Sequence, residues 1–203
     1  MRLLIALALA MLIPLSAGAE TTPRAAPEPG SVSLEDGLAA WSRIYEVTSH
    51  PRCANCHVGP SDRPMWSGPS YGKTRPHGMN IRADESRIGA ETIPCRTCHA
   101  TTRDKSTGAP HHAPQVTDAW MLAPVEAHWF GRSSDEICAQ LRDTDLNGGR
   151  DFLEIAEHLG HDVILHWAWE PGGGREPAPY SLAEHTEDVL AWGAAGMPCP
   201  ADQ

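Results

Sequence analysis

Residues 53–57 read Cys-Ala-Asn-Cys-His and residues 95–99 read Cys-Arg-Thr-Cys-His. Two thiols three positions apart, followed at once by an imidazole, form the pattern of covalent haem attachment. The thiols become thioethers to the porphyrin vinyl groups, and the two residues between them let both sulfurs lie along one ring edge. The adjacent histidine turns back beneath the ring to bind iron. Cys and His are rare enough that two such pentapeptides in one chain arise by chance at roughly one in ten thousand. A zinc ribbon is the main rival, since Cys53, Cys56, Cys95 and Cys98 form two pairs. The gap between the pairs is long for a ribbon, and a ribbon requires no histidine after either pair. A thioredoxin-like redox pair needs a strand–helix unit around the motif, and neither pentapeptide has one. The expectation is two covalently bound haem c groups. One sits on Cys53 and Cys56 with His57 as proximal iron ligand, the other on Cys95 and Cys98 with His99.

The rest of the composition suits a chain wrapped around a large apolar cofactor. The sequence has two Phe and three Tyr, with 18 Gly and 18 Pro, so the protein core is thin and much of the backbone is loop. Helix signals punctuate those loops. Ser33 caps a helix whose first turn carries Glu35 and Asp36, and Leu34, Leu38, Trp41 and Tyr45 share one face. This helix is expected to end near His50, ahead of Pro51. A second helix over 135–142 is capped by Ser133 or Ser134. A third over 151–159 ends at Gly160 as a C′ glycine. Ser181-Leu182-Ala183-Glu184 opens a last helix reaching about residue 195. Residues 58–94 and 100–131 read as irregular, with no convincing strand. The predicted fold class is mainly α with long irregular loops, of the dihaem cytochrome c type.

Met1-Arg2, an apolar run from Leu3 to Leu15 and Ser16-Ala17-Gly18-Ala19 make a secretory signal peptide over 1–19, with cleavage expected after Ala19. Residues 20–31 form a Pro/Ala-rich tether, and 32–203 a single dihaem cytochrome c domain. No later segment is apolar enough to span a membrane, which places the mature chain in the periplasm. The net charge of −10 argues against nucleic acid and favours a partner protein with a basic docking surface. Cys138 and Cys199 are the two thiols left once the haems are attached, and in an oxidising compartment they should join as a disulfide.

The sixth ligand of each iron decides much of the chemistry. Histidine or methionine there leaves electron transfer as the simplest role, whereas an open position permits ligand binding or peroxide chemistry. Outside the motifs stand His50, His77, His111, His112, His128, His158, His161, His166 and His185. His77 lies in the slack proline-rich loop between the motifs, with Met79 as thioether alternative. His158 and His161 are three apart on a helix end and share a face. His77 and His161 are the preferred distal ligands, and His50 and His158 the alternatives. Residues 143–154 also match an EF-hand calcium loop through Asp143, Asp145, Asn147, Gly148, Asp151 and Glu154. Arg150 stands where that loop normally has an aliphatic residue, and there is no second hand. The competing reading is a polar connection turning at Asn147-Gly148-Gly149.

Several stretches resemble a family of small exported dihaem proteins often labelled cytochrome subunits of isoquinoline 1-oxidoreductase-type molybdenum hydroxylases. They are His50-Pro51-Arg52-Cys53, Gly131-Arg132-Ser133 ahead of Ile137-Cys138, Asn147-Gly148-Gly149 and His158-Leu159-Gly160-His161-Asp162. Trp167-Ala168-Trp169 ahead of Pro171-Gly172, and the tail around Pro198-Cys199-Pro200, are also similar. The resemblance implies electron transfer with a partner oxidoreductase, possible roles for His50, His77, His158 and His161 at the pattern's histidines, and less for calcium. It carries nothing over for His111, His112 or His128. The functional expectation is a periplasmic dihaem carrier between an oxidoreductase, of molybdenum hydroxylase type by the resemblance, and downstream acceptors. It is an electron-transfer protein or subunit rather than a stand-alone enzyme. The alternative is a dihaem enzyme, a peroxidase or sulfur-compound oxidase with one open iron, for which His111, His112 and His128 would supply acid–base groups.

Overall fold

The computed structural model describes residues 26–83, 95–99, 113 and 120–202, so the predicted signal peptide, His111 and His112 lie outside it. The described chain is mainly helical. Helix α1 spans Leu34–Thr48, and the Ser33 side chain accepts from the Asp36 amide at 3.1 Å. Helix α3 (Ser134–Arg142), α4 (Phe152–His161) and α6 (Leu182–Ala194) each begin with a complete capping box, pairing Ser133 with Glu136, Asp151 with Glu154 and Ser181 with Glu184. In each box the cap oxygen takes an orphan helix amide and the glutamate takes the cap's own amide. Two short helices complete the set, α2 over Pro51–Ala54 and α5 over Val163–His166.

One expectation is extended and two change. The first helix ends at Thr48, just ahead of His50 and Pro51 as read from the sequence, and Pro51 then opens α2 at a first-turn position, where its missing N–H costs nothing. Gly160 is not a C′ residue: α4 runs through it to His161, because Asp162 provides the extended cap residue and reaches forward to the Ile164 amide at 2.8 Å. The proline-rich loop also contains a small antiparallel ladder, with β1 (Met65–Trp66) paired to β2 (Arg75–Pro76). Pro76 fits there because a two-strand ladder has edges that need no amide donor.

The apolar core lies where α1 and α4 meet α6. Trp41 and Trp192, each 1 % exposed, pack with ring centroids 5.2 Å apart. Their indole N–H groups donate to Ser134 Oγ at 2.8 Å and to the Pro198 carbonyl at 3.0 Å, so neither buried indole is left unpaired. Gly193 allows close approach of α4, since a Cβ there would run into the Phe152 ring. The predicted disulfide joins Cys138 and Cys199 inside this core and ties the C-terminal tail to α3. No described helix is long and apolar enough to cross a membrane.

Candidate functional site

The two pentapeptides fold alike. The His57 amide donates to the Cys53 carbonyl at 3.3 Å, and the His99 amide to the Cys95 carbonyl at 2.9 Å. Each motif is therefore one tight helical turn that brings both thiols and the imidazole to one side. The first turn is launched by α2. The second is the short 3-10 turn Cys95–Thr97. The motifs also adjoin, because Cys95 is near enough to Cys56 to contribute to raising its pKa. Burial pushes the Cys53 thiol up to about 12 and the Cys56 thiol to about 11. They are protonated at neutral pH, the reverse of a low-pKa nucleophilic pair.

The His57 ring is set for a ligand on Nε2. Its Nδ1 lies 3.0 Å from the Ala127 carbonyl, which can only accept, so Nδ1 holds the proton and Nε2 the lone pair. Burial pushes this imidazole down to about 4, against the raising effect of the Ala127 bond and with a further push from nearby His158. The ring lies flat on Trp129, centroids 3.5 Å apart and planes within 3°. His99 has a matching neighbour in Trp120, at 4.7 Å and 14°. Trp120 meets Trp167 edge-on at 6.1 Å.

A largely apolar cavity of about 300 Å³ is bounded by Cys56 from the first motif and by Cys95, Cys98 and His99 from the second. His77 and Met79 of the intervening loop also line it. The His77 and His99 rings stand 6.3 Å apart at 29°. His77 Nδ1 donates to the Gly78 carbonyl at 2.8 Å, which again leaves Nε2 available. Met79 is 70 % exposed with a positive φ of 64°, so most of its side chain faces solvent.

The remaining candidates differ by tautomer. His161 Nδ1 donates to the Glu157 carbonyl at 2.7 Å and leaves Nε2 free, as in His57 and His77. His158 meets the His161 ring edge-on at 5.7 Å and has Nε2 3.7 Å from Asp162. His50 is the N-cap of α2, and its Nδ1 accepts from the Arg52 amide at 3.3 Å. A neutral ring used this way carries its proton on Nε2, so capping and ligation through Nε2 compete. His128 Nδ1 faces the Arg132 guanidinium at 3.2 Å.

The calcium-loop residues have other partners. Asp151 and Glu154 form the capping box of α4, and Asp143 accepts from the Asp145 amide at 2.9 Å. Asn147 bonds the Leu141 and Arg150 carbonyls, and the Arg150 guanidinium donates back to the Asn147 carbonyl at 3.0 Å. Among the described residues no three His, Cys, Asp or Glu side chains are grouped to hold a metal ion.

No protein-family model, curated protein or solved structure matches this chain.

Two groups near the motifs escaped the sequence reading. One is the pair of tryptophans against the motif histidines, whose only sequence signal was seven Trp beside two Phe. The other is the set Arg52, Tyr71, Trp167, Arg175 and Glu176, assembled from segments over a hundred residues apart. Arg52 is 4 % exposed and pairs with Glu176 at 3.2 Å. Arg175 is 7 % exposed and donates from Nε to the Tyr71 hydroxyl at 2.9 Å.

Proposed function

We propose that this chain is an exported dihaem c-type cytochrome that relays single electrons between a partner oxidoreductase and a downstream acceptor. The observation that carries the reading is the nearness of His77 and His99, ring centres 6.3 Å apart, in the lining of a cavity that also presents Cys95 and Cys98. Four residues from two separate segments thus supply what a covalently held, doubly ligated haem requires. The first motif supports the same reading, with a neutral His57 whose Nε2 is unengaged, and with His158 and His161 on the nearby end of α4.

When bound, haem iron cycles by one electron, and its potential falls when both axial ligands are imidazole rather than one being a thioether. The chain's own part is to hold the rings, to exclude water from the cavity and to fix the tautomer of each ligand through a backbone carbonyl. Covalent haem attachment and the Cys138–Cys199 disulfide both suit an oxidising compartment, which agrees with export to the periplasm. The partner is a redox protein, of molybdenum hydroxylase type by the sequence resemblance, met through weak, salt-sensitive docking. We read the loop that carries Asp143, Asp145, Asn147, Asp151 and Glu154 as a turn and a cap rather than a calcium site, since Asp151 and Glu154 close the α4 capping box and Arg150 donates to the Asn147 carbonyl.

The test is a haem peroxidase stain on the denatured, gel-separated protein, together with its intact mass. The expected result is a stained band carrying two haems, with one lost in Cys53→Ala/Cys56→Ala and the other in Cys95→Ala/Cys98→Ala. An unstained protein made in a host that matures c-type cytochromes would end the proposal.

A further inference from the structure

Arg52 precedes the first motif in sequence, yet its side chain lines the cavity that holds Cys95, Cys98 and His99. That side chain is 1 % exposed. One guanidinium nitrogen reaches Glu176, while Nε is buried without a hydrogen-bond partner. The group is packed rather than loose. Its carbon centre sits 5.2 Å from the Tyr71 ring centre and 5.5 Å from that of Trp167. Arg175 lies over the same Trp167 at 5.6 Å. Glu176 is held in turn by the Ser70 amide at 3.1 Å. The wall therefore pairs the buried Arg52 guanidinium with one carboxylate, while the second buried guanidinium, Arg175, bonds the Tyr71 hydroxyl and lies over Trp167; Arg52 Nε is left as an unused donor in an apolar surround. An unmet buried donor on a charged group is costly, and a carboxylate is the partner that matches a guanidinium best.

We propose that Arg52 is the anchor for a propionate carboxylate of the haem carried by the second motif, so that a residue adjoining one attachment site sets the potential at the other. This rests on the dihaem reading above. Arg52 is shared between Glu176 and the propionate, and the two neighbours act on the iron with opposite sign. Loss of the Arg52 charge stabilises ferric iron and lowers that midpoint potential. Loss of the Glu176 charge leaves Arg52 more fully available and raises it.

The experiment is a redox titration of the purified, haem-loaded protein in four forms: wild type, Arg52→Gln, Glu176→Gln and Arg43→Gln. Arg43 pairs with Asp188 between α1 and α6 and serves as a charge control outside the cavity. The expected result is one of the two midpoints moving down in Arg52→Gln and up in Glu176→Gln, with both unmoved in Arg43→Gln. Equal displacement of both midpoints, shifts of the same sign in the two cavity variants, or no shift would overturn the anchor. Should Arg52→Gln fail to accumulate, Glu176→Gln and the charge-keeping Arg52→Lys decide: the first must still raise one midpoint and the second must stay near wild type. A haem stain on every sample keeps the cases apart: an unstained wild type defeats the dihaem reading and the anchor with it, whereas stained samples that lack the opposed shifts defeat the anchor alone.

Discussion

If the chain carries two haems as proposed, replacing His77 by alanine should free one axial position on one iron and leave the other iron closed. The magnitude follows from geometry. Two imidazoles on opposite sides of one metal have metal–nitrogen bonds of about 2 Å each, and each ring centre lies about 1.2 Å behind its nitrogen, so the centres stand about 6.4 Å apart. The His77 and His99 centres are 6.3 Å apart. That centre-to-centre spacing matches what one metal between the two rings would give. The substitution should leave the fold intact, because His77 is tied to its surroundings through its backbone amide, 2.7 Å from the Pro64 carbonyl, which alanine retains. The assay is carbon monoxide titration of the reduced protein, followed in the Soret band. Wild type should bind none, and His77→Ala should bind one equivalent per chain, with half of the haem absorbance shifting. Met79→Ala should behave as wild type. If Met79→Ala took up one equivalent while His77→Ala took up none, the cavity would hold a His/Met haem. If wild type bound one, an iron would already be open and the enzyme alternative would gain the ground.

Two further outcomes test the scaffold. Cys138→Ala/Cys199→Ala removes a bridge between residues 61 apart in sequence, and the loop-closure entropy of that span predicts a loss of about 4 kcal/mol in urea unfolding. A loss below about 1 kcal/mol would show that the tail is held by its packing rather than its cross-link. His185 is buried in α6 against Trp169, with Nδ1 unpartnered, and burial pushes it down to about 4. Its folded value lies below the ordinary 6.5, so as pH falls the unfolded chain takes the proton first. The stability present above pH 6.5 is lost towards pH 4, by about 3 kcal/mol in all. His57 titrates over the same window unless a metal occupies its Nε2, so the quantity to measure is the difference between wild type and His185→Leu. The variant should have the flatter stability curve between pH 6.5 and 4, and parallel curves would refute the assignment.

What was legible in the sequence is what short-range chemistry specifies. Ser33, the Ser181–Glu184 box and the helices they open are decided within four residues of chain and stand where the pattern placed them, and of the two caps offered for the 135–142 helix the structure uses Ser133. The disulfide was legible by elimination, because four of the six thiols were claimed by the motifs. Some residues serve two local uses. Pro51 follows the end of α1 near His50, as read, and also opens α2. Asp151 and Glu154 match calcium-loop positions in the sequence and form the capping box of α4 in the structure. Gly160 had the position of a C′ glycine, but Asp162 supplies the cap two residues later. His50 shows the same ambiguity between ligand and cap. The illegible part is long-range. The sequence placed His77 between the motifs without choosing one, and the loop that carries the β1–β2 ladder brings its ring centre to 6.3 Å from that of His99. Arg52 and Glu176 are 124 residues apart, and no periodicity relates them. The cavity is formed at that scale, by loops whose local signals are weak because they pack against one another and around a common centre rather than against a helix face. For the same reason Trp120 and Trp129, each in a stretch without regular structure, come to lie flat against the two motif histidines. Thin helical cores and proline-rich loops are poor at fixing ring orientations. Here two indoles and the backbone carbonyls of Ala127, Gly78 and Glu157 do that work, so the orientation of the candidate ligands depends on loop backbone as much as on the helices.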